Sequence, residues 1–191
     1  MIPFEQAEDY TVGRAGHKIQ VGVVHTMETP ETEGRAGNVD HWFADGHRSA
    51  SAHYMIDDHK VFQSVLERDC AWAVDQQYMN QISVSLEHAG IAAQLPKEWL
   101  DAYSHSELSL SAILAADISG RNHLQPIHLT DSQIRAIARG NKIITGWCGH
   151  GDISRALAIY GGHTDPGSNF PWYSYLTQVK SIMLKNQRST K

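Results

Sequence analysis

Two short stretches decide how this chain folds: residues 19–25, IQVGVVH, and residues 82–88, ISVSLEH. The first is a β-branched run, and both close on a histidine. In the second, Ile82, Val84 and Leu86 alternate with Ser83, Ser85 and Glu87, the period of two of a strand with one face toward a site or solvent. Working outward, residues 51–57 (SAHYMID) read as another strand. Asp58 and His59 make a turn, and residues 60–65 (KVFQSV) return to complete a hairpin. Residues 142–147 form a strand that leads into Gly149 and His150.

The remaining periodicity is helical. Residues 38–44 make a short amphipathic helix with Val39, Trp42 and Phe43 inward, after a loop over 29–37. Residues 106–119 carry Leu108, Leu110, Ala112, Ile113, Ala116 and Ile118. A helix over 130–139 opens with Thr130 followed by Gln133, a capping-box pattern. Phe170, Pro171 and Trp172 open a last helix with Tyr175, Leu176, Val179, Ile182 and Met183 on one face. Strands first, helices between and a closing helix predict an α/β fold, a sheet covered by helices. Residues 1–18 read as an irregular polar arm, and residues 185–191 (KNQRSTK) as a polar tail or the start of a linker.

With 191 residues, the chain is long enough for one domain with a proper core. A formal net charge of −5 argues against a general nucleic-acid binder, which needs a basic face for phosphates. No apolar run approaches the ~18 residues of a membrane span, and the start lacks the basic and apolar regions of a secretion signal. Cys70 and Cys148 do not make a disulfide framework and read as buried thiols. The sequence is silent on oligomeric state.

Chemistry concentrates at three places among twelve histidines. His25 closes a strand, and His150 lies in CGHGDIS, where Gly149 and Gly151 leave the imidazole accessible. The segment 161–167, GGHTDPG, carries His163 and Asp165. A hydrolytic zinc takes three protein ligands and keeps a fourth position open. The chain has no His-Glu-x-x-His and no Cys-x-x-Cys, so spacing alone leaves two readings: a metal site, or surface histidines beside an Asp-Pro-Gly turn.

Six segments occur in one order: VVHTME, SAHYMID with VFQSV, AW at 71–72, NQISVSLEHAG, GHGDIS and HTDPGSNFPW. In this, nearly the whole chain from residue 19 onward resembles the type-2 N-acetylmuramoyl-L-alanine amidases. That family includes phage endolysins, bacterial recycling amidases and peptidoglycan recognition proteins. The resemblance implies a mixed central sheet flanked by helices, one bound zinc, and peptidoglycan as substrate. It also implies hydrolysis of the amide between N-acetylmuramic acid and L-alanine. It places zinc ligation on His25, His150 and Asp165, and the general base on Glu87. His163 stands where many members have a lysine that steadies the oxyanion. Asp152 is expected to orient an imidazole rather than bind metal. His53, Trp72 and Asn80 are expected along the substrate cleft, with His53 also read as a satisfied, half-buried histidine beside it and Asn80 also fixing a loop through backbone hydrogen bonds.

The pattern also departs from the family. Ala73 stands where many relatives have histidine, and Ala52 where some short phage amidases have tyrosine, which leaves Glu87 as the evident base. Residues 155–161 (RALAIYG) look longer than in compact relatives and are expected to form a lid, a wall or an insertion. The implied setting is a phage endolysin, made in the host cytoplasm and acting on the cell wall. A bacterial autolysin or recycling amidase, a non-catalytic peptidoglycan-binding module and a zinc peptidase cutting inside the stem peptide are the competing readings.

Overall fold

A computed structural model describes residues 1–189. In chain order the elements are β1 (Tyr10–Thr11), β2 (Val21–Thr26), α1 (Arg35–Ala44), β3 (Tyr54–Ile56), β4 (Val61–Gln63), β5 (Cys70–Ala71) and α2 (Gln77–Ile82). They continue with β6 (Ser83–His88), a 3-10 turn at Glu98–Leu100, α3 (Ala102–Asn122), α4 (Asp131–Ala138), β7 (Gly146–Gly149), α5 (His150–Ala156) and α6 (Trp172–Ser189). Five strands form a mixed sheet in the order β4-β3-β6-β2-β7, and β1 pairs with β5 in a separate ribbon. β2 is parallel to β6 and β7, β3 is parallel to β6, and β4 closes the edge antiparallel to β3. The expected α/β sheet covered by helices is therefore what forms.

Burial on both faces explains the strand sequences. All six residues of β2 are buried, as expected where helices cover both sides of parallel strands. In β6 the alternation does not mark a solvated face: Ser83 and Ser85 are buried, and only Glu87 reaches partial exposure. One core joins Val24, Val84, Leu86, Trp147 and Trp99 to α3 and α6. A second joins Val21, Val23 and Cys148 to α2, α4 and α5. Cys70 and Cys148 are separate buried thiols.

Gly22 lies beside Trp147 in the β2–β7 register. A Cβ at Gly22 would meet the indole ring at 2.2 Å. The indole cannot withdraw easily, because it is fully buried and its Nε1 donates to Ser119 Oγ at 3.1 Å. Gly22→Ala is therefore expected to cost about 1–3 kcal/mol or more by overpacking, read as a fall of several degrees in the melting midpoint. An unchanged midpoint would refute this account of the glycine.

Several boundaries differ from the sequence reading. α1 begins at Arg35 and buries Ala36, Asp40 and Phe43, a stripe at i, i+4 and i+7. Trp42 falls off that stripe, is exposed and is covered by the Arg48 guanidinium at 4.8 Å, so it does not face inward. The capping box at Thr130 and Gln133 forms as expected. Residues 142–145 lie outside the strand, with Lys142 and Ile143 exposed. α6 carries the polar stretch in helical form to Ser189, and residues 190–191 lie outside the described residues. The arm over 1–18 is stitched down: Phe4 bridges Gln63, and buried Arg14 donates to the carbonyls of Glu67, Gln81 and Ser83. No described helix is long and apolar enough to cross a membrane.

Candidate metal centre

The sheet register brings the first two candidate donors together. His25 is the fifth residue of β2, and His150 follows β7 as the first residue of α5. Val24 pairs with Gly149 in these parallel strands, so the two imidazoles leave the same end of the sheet, with ring centroids 4.9 Å apart. Asp165 arrives from a distant loop, docked by the Gly151 N–H donating to its carbonyl at 2.7 Å.

The glycines around His150 have a different purpose from the one their sequence suggests. His150 is only 4 % exposed, so they do not open it to solvent. A Cβ at Gly149 would stand 2.5 Å from Pro166, and one at Gly151 would stand 2.8 Å from the Thr164 carbonyl. Both positions let the 164–166 backbone press against the helix start, which brings Asp165 to the imidazoles.

The Nδ1 atom of His25 lies 3.0 Å from Asp165 Oδ2, and that of His150 lies 3.5 Å from Asp165 Oδ1. Donors on a tetrahedral ion with bonds of about 2.0–2.1 Å are separated by roughly 3.3–3.4 Å. These three buried donor groups, with atoms all within 4.8 Å of one another, fit a first-row divalent cation. Neither Nε2 atom has a hydrogen-bond partner in the protein, so the rings meet polar groups through Nδ1.

Electrostatics divide the trio. Burial, then the neighbouring His25, push the His150 imidazole down to about 3, which keeps it neutral and free to donate a lone pair. Burial opposes charge on His25, but Glu87 and Asp165 outweigh it and hold its pKa above the ordinary value. Asp165 is held below its ordinary value because His25 and His150 outweigh the opposing burial. A cation at this point would take over the role of the His25 proton, since metal binding displaces protons from its ligands.

Glu87 pairs with His25 in the β2–β6 register and lies 3.9 Å from its Nδ1. Burial raises its carboxyl to about 7, opposed by His25, while Asp165 and Glu28 add to the rise. Its Oε2 has no partner, so the group can accept a proton. His163 is half-exposed and stacks on His150, with centroids 4.1 Å apart and planes at 15°. Its Nδ1 faces Asp165 at 3.5 Å, its Nε2 faces Asp75 at 3.8 Å, and its backbone N–H donates to Ser154 Oγ.

A cleft of about 240 Å³ opens over these groups, bordered by Glu28, Trp72, Ala73 and Asp75. A larger cavity, about 630 Å³, lies against the 162–168 loop and also reaches His163 and Asp165. Trp72 stands in the cleft wall, with its Nε1 donating to Thr11 Oγ1 at 2.8 Å. Asn80 does not border that cleft. Its side chain instead binds the N–H groups of Ala73 and Val74 and the carbonyl of Val74, which holds the wall in shape.

His53 is outside the cleft as well, and its expected place there is corrected. It is 1 % exposed, with Nδ1 accepting from the Ser85 N–H and Nε2 against Arg14 and the Asp69 carbonyl. Burial, then Arg14, lower its pKa to about 3, so it is a neutral structural group. Asp152 orients an imidazole, but it is that of His128, at 2.7 Å, and not a metal ligand. Residues 155–161 finish α5 and turn back, with Ile159 packed on the core and Tyr160 fully exposed. Sequence reasoning did not find Asp75 or Glu28; each is a single acid in a loop, with no periodicity or spacing to mark it.

Residues 15–168 match the family model described as N-acetylmuramoyl-L-alanine amidase. The chain belongs to that family. This amidase is 27% identical over 178 residues to N-acetylmuramoyl-L-alanine amidase A of Achromobacter lyticus, covering 86% of this chain and 85% of that one. Its fold is similar to the Staphylococcus aureus hydrolase AmiA solved with its ligand, with a TM-score of 0.69 at 16% identity over 97% of this chain and 85% of that one. It is also similar to PlyL (TM-score 0.61, 16% identity, 95% and 98% covered) and to an AmpD derivative (TM-score 0.59, 18% identity, 93% of each). The chain carries its His, His and Asp group where the end of β2, the start of α5 and the loop before α6 meet.

Proposed function

We propose that this chain is a zinc-dependent N-acetylmuramoyl-L-alanine amidase that detaches stem peptides from the glycan of bacterial peptidoglycan. Family membership supports amidase activity on peptidoglycan. The observation that carries the metal-dependent reading is the convergence of His25, His150 and Asp165 beside Glu87, whose Oε2 has no partner.

His25, His150 and Asp165 would hold the ion. Two neutral imidazoles and one carboxylate leave a divalent cation with a net positive charge. Zinc bound there would supply Lewis acidity, polarising a carbonyl oxygen and lowering the pKa of a coordinated water toward about 7. Glu87 takes the proton of the attacking water and returns it to the departing L-alanine nitrogen, one group serving as base and then acid. The His163 ring, stacked on His150, donates a hydrogen bond to the oxygen on which negative charge develops. Trp72 and the loop held by Asn80 shape the wall that receives the substrate.

His163→Lys is expected to keep more activity than His163→Ala, because a lysine ammonium also donates to an oxyanion. Equal activities would remove His163 from the mechanism.

The enzyme reading is favoured over a binding module because the cleft keeps the mostly buried Glu87 carboxyl within reach of the donor trio. An endolysin from Bacillus subtilis among the similar folds supports a lytic setting on the cell wall. Mass spectrometry of fragments released from purified walls tests the bond. Peptides with a free N-terminal L-alanine are expected, and any other new terminus would overturn the assignment. A turbidity assay on the same walls should show clearing that a chelator stops and added zinc restores.

A further inference from the structure

At the end of the sheet opposite the metal centre, a cavity of about 590 Å³ opens where the chain enters β2 and β7. The six residues of β2, at about 3.3 Å per residue, separate it from the ligand cluster by roughly 20 Å. Its wall carries Lys18 and Lys142, the imidazoles of His17 and His123, and the amides of Asn122 and Gln125, and none of its lining residues is acidic. In a chain with a net charge of −5 this is a local reversal of sign. Among the described residues neither lysine forms an ion pair.

The walls are fixed in place. Gln20, nearly buried, donates from Nε2 to the carbonyls of Asn141 and Ile144, which ties the lysine-bearing loop to the start of β2. Asn141 Oδ1 accepts from the N–H groups of Ile143 and Ile144. Thr145 Oγ1 accepts from the Gln125 N–H and donates to the His123 carbonyl. His17 stands edge-on to Tyr78 with centroids 5.2 Å apart. The C-terminal end of α3 reaches His123 and brings roughly half a negative charge, which the two full lysine charges outweigh. Tyr78, Ile19 and Ile143 supply apolar surface beside the cations.

We propose that this cavity is a second binding site, taking a phosphate-class oxyanion carried on a sugar or polyol. The two lysine ammoniums hold the oxyanion by charge-assisted hydrogen bonds, and Tyr78 and Ile143 flank the carbon skeleton. Two sources share this chemistry: the phosphodiester groups of an anionic wall polymer, and a free phosphorylated metabolite. The site does not depend on the hydrolytic reading, and its test can succeed or fail while that reading stands.

The test follows backbone amide shifts of the full chain titrated with inorganic phosphate and with glycerol phosphate, against chloride at matched ionic strength. Saturable shifts confined to residues 16–20, 122–125 and 142–145 are expected, weakened at least about tenfold in a Lys18→Glu, Lys142→Glu double variant. Both side chains are exposed and unpaired, so the variant should hydrolyse a small soluble muramyl peptide at the parent rate, which also reports that it is folded. Retention on walls that falls several-fold when phosphodiester polymer is stripped, in the parent alone, assigns the polymer as source. Saturable glycerol phosphate binding with equal retention on both walls assigns the free metabolite. No saturable shift with either anion, or identical shifts in parent and variant, would overturn the site.

Discussion

Asp165→Ala is expected to lose both bound metal and wall hydrolysis, the largest effect of any single substitution. Asp165 faces both imidazoles, at 3.0 Å from His25 and 3.5 Å from His150, so its removal takes away the one anionic ligand. The Lewis acid contributes several kcal/mol to such reactions, so the rate should fall by about 10³-fold or more. Metal content after dialysis should fall in parallel, from about one ion per chain to near none. Because the aspartate also neutralises His25, the melting curve of the metal-free protein should be measured alongside, to show that the variant is folded. A folded variant that keeps its metal and its rate would show that the cluster is not the centre of the reaction.

Glu87→Gln should separate proton transfer from metal binding. The change preserves shape and removes the acceptor, and loss of a positioned general base typically costs about 10²–10⁴-fold. Metal content should stay at the parent level, because Glu87 is 3.9 Å from His25 and outside the donor trio. Stability should hold or rise slightly. Burial already disfavours the Glu87 carboxylate and raises it to about 7, so a neutral amide is tolerated there. The two variants therefore carry distinct signatures: rate and metal both lost at Asp165, rate alone lost at Glu87. A Glu87→Gln variant of parental kcat would shift the base role to another group, with Glu28 and Asp75 the acids that border the cleft.

Much of this centre can be read from residue types. A histidine closing a β-branched run, a histidine between glycines and an aspartate in a Gly-rich loop supply the donors, and the order of the surrounding segments resembles one family. The purpose of the glycines is not readable, because a sequence does not reveal which backbone a missing Cβ makes room for. Gly149 and Gly151 admit the 164–166 segment, and Gly22 admits an indole. His53 shows the same limit. The family resemblance places it along the cleft, but Arg14, 39 residues earlier, covers it from the arm.

The sequence by itself determined the fold class, the strands that carry His25 and Glu87, the capped helix at Thr130, and the donor types available for a metal. Those features depend on local periodicity, caps and donor chemistry, which operate over a few neighbouring residues. Only the tertiary structure decided that β2 lies between β6 and β7 in a register placing His25 beside Glu87 and next to His150. It also decided that Asp165 completes the trio, that Asp75 faces His163, and that Lys18 and Lys142 share one cavity. These are contacts between residues far apart along the chain. They are set by how parallel strands stack and how loops pack against them, and no local pattern encodes that arrangement.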